Sequence, residues 1–210
     1  MRLYDSPWAP SPRRVRMFLA EKGLDIDCVA VDLRAGANLA PEYLRVNARG
    51  CVPALELDDG EVLCESAAIC RYLEALHPEP SLFGATPIAI GRIEAWTRRI
   101  EGDGYAAAGY ALRNAGPAFK DRGLPGKWPP VAQIPELATR ALVMWTGFVD
   151  TLDEQLASNE WVAGEAYSFA DITALVTIDF ARAAKLVVPE RAANILRWHK
   201  AASARPSAGA

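Results

Sequence analysis

The sequence predicts an α/β first domain followed by an all-helical second domain. Strand and helix signals alternate through residues 1–77, whereas beyond residue 88 the strand signals stop and apolar residues recur only at helical spacing. The stretch HPEPSLFGATP, residues 77–87, is proline-rich and aperiodic, which sets a linker at 78–88 between domains spanning 1–77 and 89–210. A chain of 210 residues that is 51% hydrophobic and 23% charged has the material for a buried core in both.

Each element has its own signal. Residues 2–4 read as a short strand and the cluster Pro7, Pro10, Pro12 as a loop. From Arg13 a helix carries Val15, Phe18 and Leu19 on one face and stops at Gly23. Residues 26–31 alternate with β-branched members, and Pro41 opens a short helical turn. Two apolar runs then meet at Asp58-Asp59-Gly60, a hairpin turn. The result is a βαβ half followed by a ββα half, closed by a helix over 65–76 with an apolar stripe of Ile69, Tyr72, Leu73 and Leu76, halted before Pro78. In the second domain, Ala89, Ile93, Trp96 and Ile100 begin one helix. Ala138, Leu142, Trp145, Val149, Leu152 and Leu156 space out another, and the Gly- and Pro-rich residues 116–130 form a long loop. Ser168 and Asp171 make a capping box, with Tyr167 and Ile172 as its hydrophobic staple, a folding signal without chemistry.

Composition excludes several function classes. The formal net charge is -3, and no basic run or basic-aromatic interleaving is present, so neither nucleic acid nor an anionic membrane is an expected partner. The charged, proline-punctuated N-terminus is neither a signal peptide nor a membrane span, which points to the cytoplasm. Cys28, Cys51, Cys64 and Cys70 form no CxxC pair and have no companion histidines, so no metal is expected and reduced thiols are.

Chemistry concentrates in GCVPALELDDGEVLCES, residues 50–66. Pro53 opens a strand, where it marks an edge or a bend. A cis Val52-Pro53 bond would turn the amide and carbonyl of Val52 outward, free to pair with an extended peptide. Glu65 and Ser66 stand at the first turn of the next helix, where free amides and the helix dipole attract a carboxylate. Ser66 adds a hydroxyl donor to that carboxylate and Glu65 an acceptor for an ammonium, so the pair suits an amino-acid head group. An ordinary helix cap is the alternative. Together the two features describe a receptor for a γ-glutamyl tripeptide.

At this point the chain resembles the cytosolic glutathione S-transferases over essentially its whole length, through LYDSP...RRVRMFLAEKGL, NARGCVPALELDDGEVLCESAAICRYLE, WVAGEAYSFADITAL and RWHKAASARPSA. The resemblance implies a thioredoxin-like first domain, an all-helical second domain, a homodimer and glutathione as cosubstrate. It places the cysteinyl unit on Val52 with Pro53, the γ-glutamyl unit on Glu65 and Ser66, and a residue near the glycyl carboxylate at Asn38 and Cys51.

The chain also departs from the family pattern. Only a thiolate attacks electrophiles well, so some group must stabilise it. Alignment of Arg13-Arg14-Val15 puts Ala9 where the family commonly has a serine, in a chain similar to a fungal and bacterial branch that lacks the usual hydroxyl. Two substitutes stand as catalytic candidates: Ser11, otherwise an N-cap before Pro12, and Asn114, beside Arg113 on a second-domain helix, otherwise a side chain solvated at the surface. Cys51 stands where GKVP-like members carry a lysine, removing a positive charge near the glycyl carboxylate and adding a thiol. Trp8, Tyr105 and Tyr110, with Trp128, are candidate walls of an electrophile pocket or simple packing. Three functions are thus expected in order: a transferase activating the glutathione thiol toward a small hydrophobic electrophile, a non-catalytic glutathione- or partner-binding module, and a thiol-disulfide oxidoreductase acting through Cys51.

Overall fold

A computed structural model describes residues 1–210. The chain divides into two compact units, the first comprising Met1–Pro80, Leu124–Pro129 and Ala210, the second Ser81–Gly123 and Pro130–Gly209. The first unit is built on a four-stranded mixed sheet of β1 (Arg2–Asp5), β2 (Asp27–Ala30), β3 (Ala54–Glu56) and β4 (Val62–Cys64), ordered β2-β1-β3-β4. β2 runs parallel to β1, as the intervening helix requires, while β3 is antiparallel to both β1 and β4. Leu3 and Leu55 pair across β1 and β3 and are fully buried. Helices α1 (Pro10–Lys22) and α3 (Ser66–Leu76) pack on each other through a core that includes Val15, Phe18, Ile69 and Leu73, and α2 (Pro41–Val46) precedes the loop into β3. This is the thioredoxin-like arrangement the sequence implied.

Three local expectations change. Helix α1 starts at Pro10, three residues before Arg13, because the fixed φ of Pro10 suits a first helical position. Ser11 therefore lies within the first turn and is not the N-cap, which is Ala9, with no side-chain acceptor. Leu76, the last member of the predicted α3 stripe, is exposed because it falls in the helix's final turn, beyond buried Leu73.

The second unit is helical: α4 (Pro87–Arg99), a π-helical turn over Ile100–Tyr105, α5 (Ala106–Ala115), α6 (Pro135–Ala157), α7 (Phe169–Ala181) and α8 (Ala193–Ser203). Gly104 sits in the π turn where a Cβ would meet the Phe148 ring at 2.8 Å, so only glycine admits this packing. Nearly every α7 residue is buried, as expected of a helix apolar on all sides at the centre of its unit. The capping box at its start is present, and Asp171 extends it: Oδ2 accepts from the Ser168 amide and hydroxyl, and Oδ1 from the Val162 amide and the Trp198 indole. On α6 the buried stripe runs through Ala141, Trp145, Phe148, Val149, Leu152 and Leu156. Leu142 is exposed, because it stands about 100° round the helix from Ala141, which sets the buried side of that turn. No helix is long and apolar enough to cross a membrane.

Candidate functional site

The segment before β3 is fixed by hydrogen bonds that leave one residue unused. Asn47 Oδ1 accepts from the Arg49 amide at 3.0 Å, the Asn47 carbonyl from the Gly50 amide at 2.8 Å, and Asn38 Nδ2 donates to the Gly50 carbonyl at 2.8 Å. The Cys51 carbonyl is held by Asn47 Nδ2 at 2.8 Å and by the Tyr43 hydroxyl. Burial pushes the Tyr43 phenol up in pKa, ahead of its proximity to Cys64 and Cys51, so it acts here as a neutral donor. Gly50, at φ +62°, turns the chain with no Cβ in the way. Val52 follows, joined to Pro53 by a cis bond, and neither its amide nor its carbonyl hydrogen-bonds within the chain. Asn38 is buried and spends its amide on Gly50, so the structure makes it a support of this loop.

After β4 ends at Cys64, Glu65 is the N-cap of α3, which begins at Ser66. Glu65 has φ 71° and ψ 119°, a conformation that an L-residue rarely holds and that clusters at ligand sites. The outcome is a helix start with its first amides uncovered by any side-chain cap. Ser66 is 4% exposed, and its Oγ accepts from Arg14 Nη1 at 3.1 Å, Arg14 itself being equally buried. With a lone pair so engaged, the Ser66 hydroxyl proton is directed to another acceptor, and the guanidinium adds positive potential behind it. Glu65 Oε1 pairs with Arg49 Nη1 at 3.1 Å while remaining open to solvent. The corner thus offers an anion site of helix amides and Ser66, and beside it a carboxylate that can accept from a cation.

The remaining candidates are distributed over both units. Ala9 and Ser11 form the start of α1, where Pro10 and Pro12 have no amide proton, leaving Ser11 the only first-turn donor. Trp8, 72% exposed, lies under the Arg34 guanidinium at 4.5 Å from its ring centre. In the helical unit Tyr105 packs on Phe180 with ring centres 5.3 Å apart, and Tyr110 is exposed five positions on, about 140° round the helix, so the two tyrosines do not share a face. Asn114 is buried, its Nδ2 donating to the Tyr110 carbonyl and its Oδ1 accepting from the Ile134 amide. Both ends of that amide are thereby tied to the join between α5 and α6. Trp128 belongs to the first unit and closes on its own loop through the Pro125 carbonyl. Cys64 is pushed up in pKa by burial, then by the Glu65 charge and Cys51, which keeps it a thiol.

The model of the glutathione S-transferase N-terminal domain matches residues 5–76 and that of the C-terminal domain residues 136–206. Glutathione S-transferase 2 of Saccharomyces cerevisiae is 35% identical over 99% of this chain and 87% of its own length. The chain belongs to the glutathione S-transferase family. Among solved structures, Gtt2 from Saccharomyces cerevisiae superposes with a TM-score of 0.90 at 34% identity, covering 100% of this chain and 99% of that one. A glutathione S-transferase domain-containing protein from Marinobacter aquaeolei VT8 also gives 0.90, at 33% identity and 99% of both chains. Within this transferase framework two features escaped the sequence. Arg14 carries the signal of a charged residue on an apolar helix face, flanked by Met17 and Phe18, and its partner Ser66 is visible only once α1 and α3 pack. The docking of Leu124–Pro129 on the N-terminal unit left no local signal, because it is a long-range contact of an aperiodic loop.

Proposed function

We propose that the protein binds glutathione along Val52 and transfers its thiolate to a small hydrophobic electrophile. The observation that carries this reading is the unpaired amide and carbonyl of Val52 together with a buried Ser66 at an uncapped helix start. The cysteinyl unit pairs with Val52, the γ-glutamyl carboxylate takes Ser66 and the first amides of α3, and its ammonium takes Glu65. Pro53 sets the bend, and Asn38 and Cys51 shape the glycyl side. Ser11 is the proposed thiolate donor, because it places a hydroxyl and an amide at the positive end of α1. Asn114 is the second candidate, its side chain donating to the Tyr110 carbonyl and accepting from the Ile134 amide. Trp8 is proposed as an aromatic wall for the electrophile on the N-terminal unit; Tyr105, packed on Phe180, and Tyr110, on another face of its helix, do not form one wall together. The protein acts in the cytoplasm as a homodimer, and a role in detoxification goes with that chemistry. A non-catalytic glutathione-binding module is the second reading, favoured by Ala9, an N-cap without a hydroxyl.

Calorimetry with glutathione, joined to stopped-flow titration of the bound thiol between about pH 5 and 9, decides between the two. The transferase reading expects binding and a thiol pKa lowered from about 8.5. It also expects Ser11→Ala to raise that pKa and cut kcat/KM by about ten- to a hundredfold. Binding with an unshifted thiol establishes the module; absence of binding removes both.

A further inference from the structure

After Gly123 the chain leaves the helical unit for six residues, Leu124–Pro129, which belong to the N-terminal unit, and returns at Pro130. The base of this excursion is closed by the Gly123 amide on the Val131 carbonyl at 3.0 Å and the Val131 amide on the Asp121 carbonyl at 2.9 Å. At its tip the Lys127 amide donates to the Arg49 carbonyl at 2.7 Å. Two glycines make the seat. A Cβ on Gly126, at φ +84°, would stand 2.3 Å from the Arg49 carbonyl oxygen and 2.6 Å from Cys51 Sγ. One on Gly50 would stand 3.0 Å from the Asn38 carbonyl oxygen and 3.4 Å from the Lys127 amide. The strap therefore lies backbone to backbone along residues 49–51, one residue short of Val52.

Resting on the glutathione reading, the direction of the ligand follows from strand register. Ala54 pairs with Cys64 in the last rung of the β3–β4 ladder, with Pro53 and Val52 preceding it on one chain segment and Glu65 and Ser66 following it on the other. A tripeptide whose γ-glutamyl end sits on Glu65 and Ser66, and whose middle pairs with Val52, sends its glycyl carboxylate toward Cys51 and Gly50. That corner holds little positive charge of its own. Cys51 is a thiol, Asn38 faces inward to Gly50, and Arg49 is paired to Glu65. Lys127 is exposed and forms no ion pair within the chain, and its backbone is already fixed against Arg49. Its flexible four-carbon stem can carry the ammonium to a carboxylate arriving at the corner.

We infer that Lys127, delivered by the Leu124–Pro129 strap, binds the glycyl carboxylate of glutathione and makes the site selective for the full tripeptide. Calorimetry on the full chain with glutathione and with γ-glutamylcysteine, which lacks the glycyl unit, tests it. The wild type binds glutathione more tightly than the dipeptide. Lys127→Gln weakens glutathione by about five- to tenfold, leaves the dipeptide unchanged and so erases the preference, while Lys127→Arg retains it. Gly126→Ala, which lifts the strap, reproduces the loss. Arg49→Gln, acting through Glu65, weakens both ligands alike. A Lys127→Gln protein that still prefers glutathione overturns the inference, as does a preference lost only in Arg49→Gln or absent from the wild type, and the glutathione reading survives each of these. A wild type that binds neither ligand removes both.

Discussion

At the level of single residues, the proposed site is built from groups held in place by the side chains of their neighbours. Asn47, Tyr43 and Asn38 fix the carbonyls of Cys51 and Gly50, so that Val52 presents its backbone in one orientation. Arg14 does the same for Ser66. Glu65 shows what such fixing costs, since its φ of 71° disfavours any residue with a Cβ by about 1–3 kcal/mol. Glu65→Ala and Glu65→Gly are both expected to lose about tenfold or more in glutathione affinity, because both delete the proposed acceptor for the ammonium. They part in stability: the glycine variant should resist urea better than the alanine variant by about 1 kcal/mol, since only glycine relieves the backbone. Equal midpoints would show that the conformation at Glu65 is unstrained. Of the residues proposed for the site, the sequence pointed to Val52, Pro53, Glu65 and Ser66 by their types and spacing. It concealed Arg14, Tyr43 and Asn47, whose roles depend on which helix packs on which strand.

At the level of elements, two helix starts do opposite work. That of α3 has no side-chain cap and is the proposed ligand site, whereas that of α7 is closed from within by Asp171. All four hydrogen bonds to this carboxylate come from neutral donors, and no cation accompanies it. Burial pushes its pKa up to about 6 from 3.8, against the pull of those donors. A carboxyl raised in the folded state binds its proton more tightly there than when unfolded. Its contribution to stability is therefore complete below the unfolded value and is lost as pH rises through about 6. Asp171→Asn keeps the shape but turns an NH2 toward donors, at a cost of about 2–4 kcal/mol. That deficit is expected to shrink between pH 4 and pH 7, since only the wild type carries the falling contribution. Urea unfolding at the two pH values measures it, and a deficit that grows with pH would mean that the carboxylate is the favoured form in the core. The capping box was legible because it is a four-residue pattern. Its further bonds to Val162 and Trp198 were not, because they come from residues 9 and 27 positions away. The start of α1 misled for a related reason: three prolines in six residues read as a loop, yet Pro10 and Pro12 fit a first helical turn, where an amide proton has no partner to lose.

At the level of the whole molecule, the α/β-then-helical order was legible because the change from period-two to helical spacing is a property of the entire chain. The return of Leu124–Pro129 to the N-terminal unit was not, because nothing local records where a loop docks. The proposed homodimer belongs to this scale and draws on an exposed face of α4. Ile88, Gly91 and Ala95 recur at i, i+3 and i+7 and are all exposed, forming an apolar strip of small and branched side chains. The opposite side of α4 is the one its own unit uses, where Ile93 and Thr97 are buried. Small residues at that spacing let a second helix approach closely, and a charge among them would be stripped of water on association. Sedimentation velocity is therefore expected to give a particle of twice 22.8 kDa for the wild type. Ala95→Glu should shift it to a single chain at micromolar concentration while leaving the circular dichroism of the helices unchanged. A wild type sedimenting as one chain rejects the dimer, and an Ala95→Glu protein that remains dimeric moves its interface away from α4.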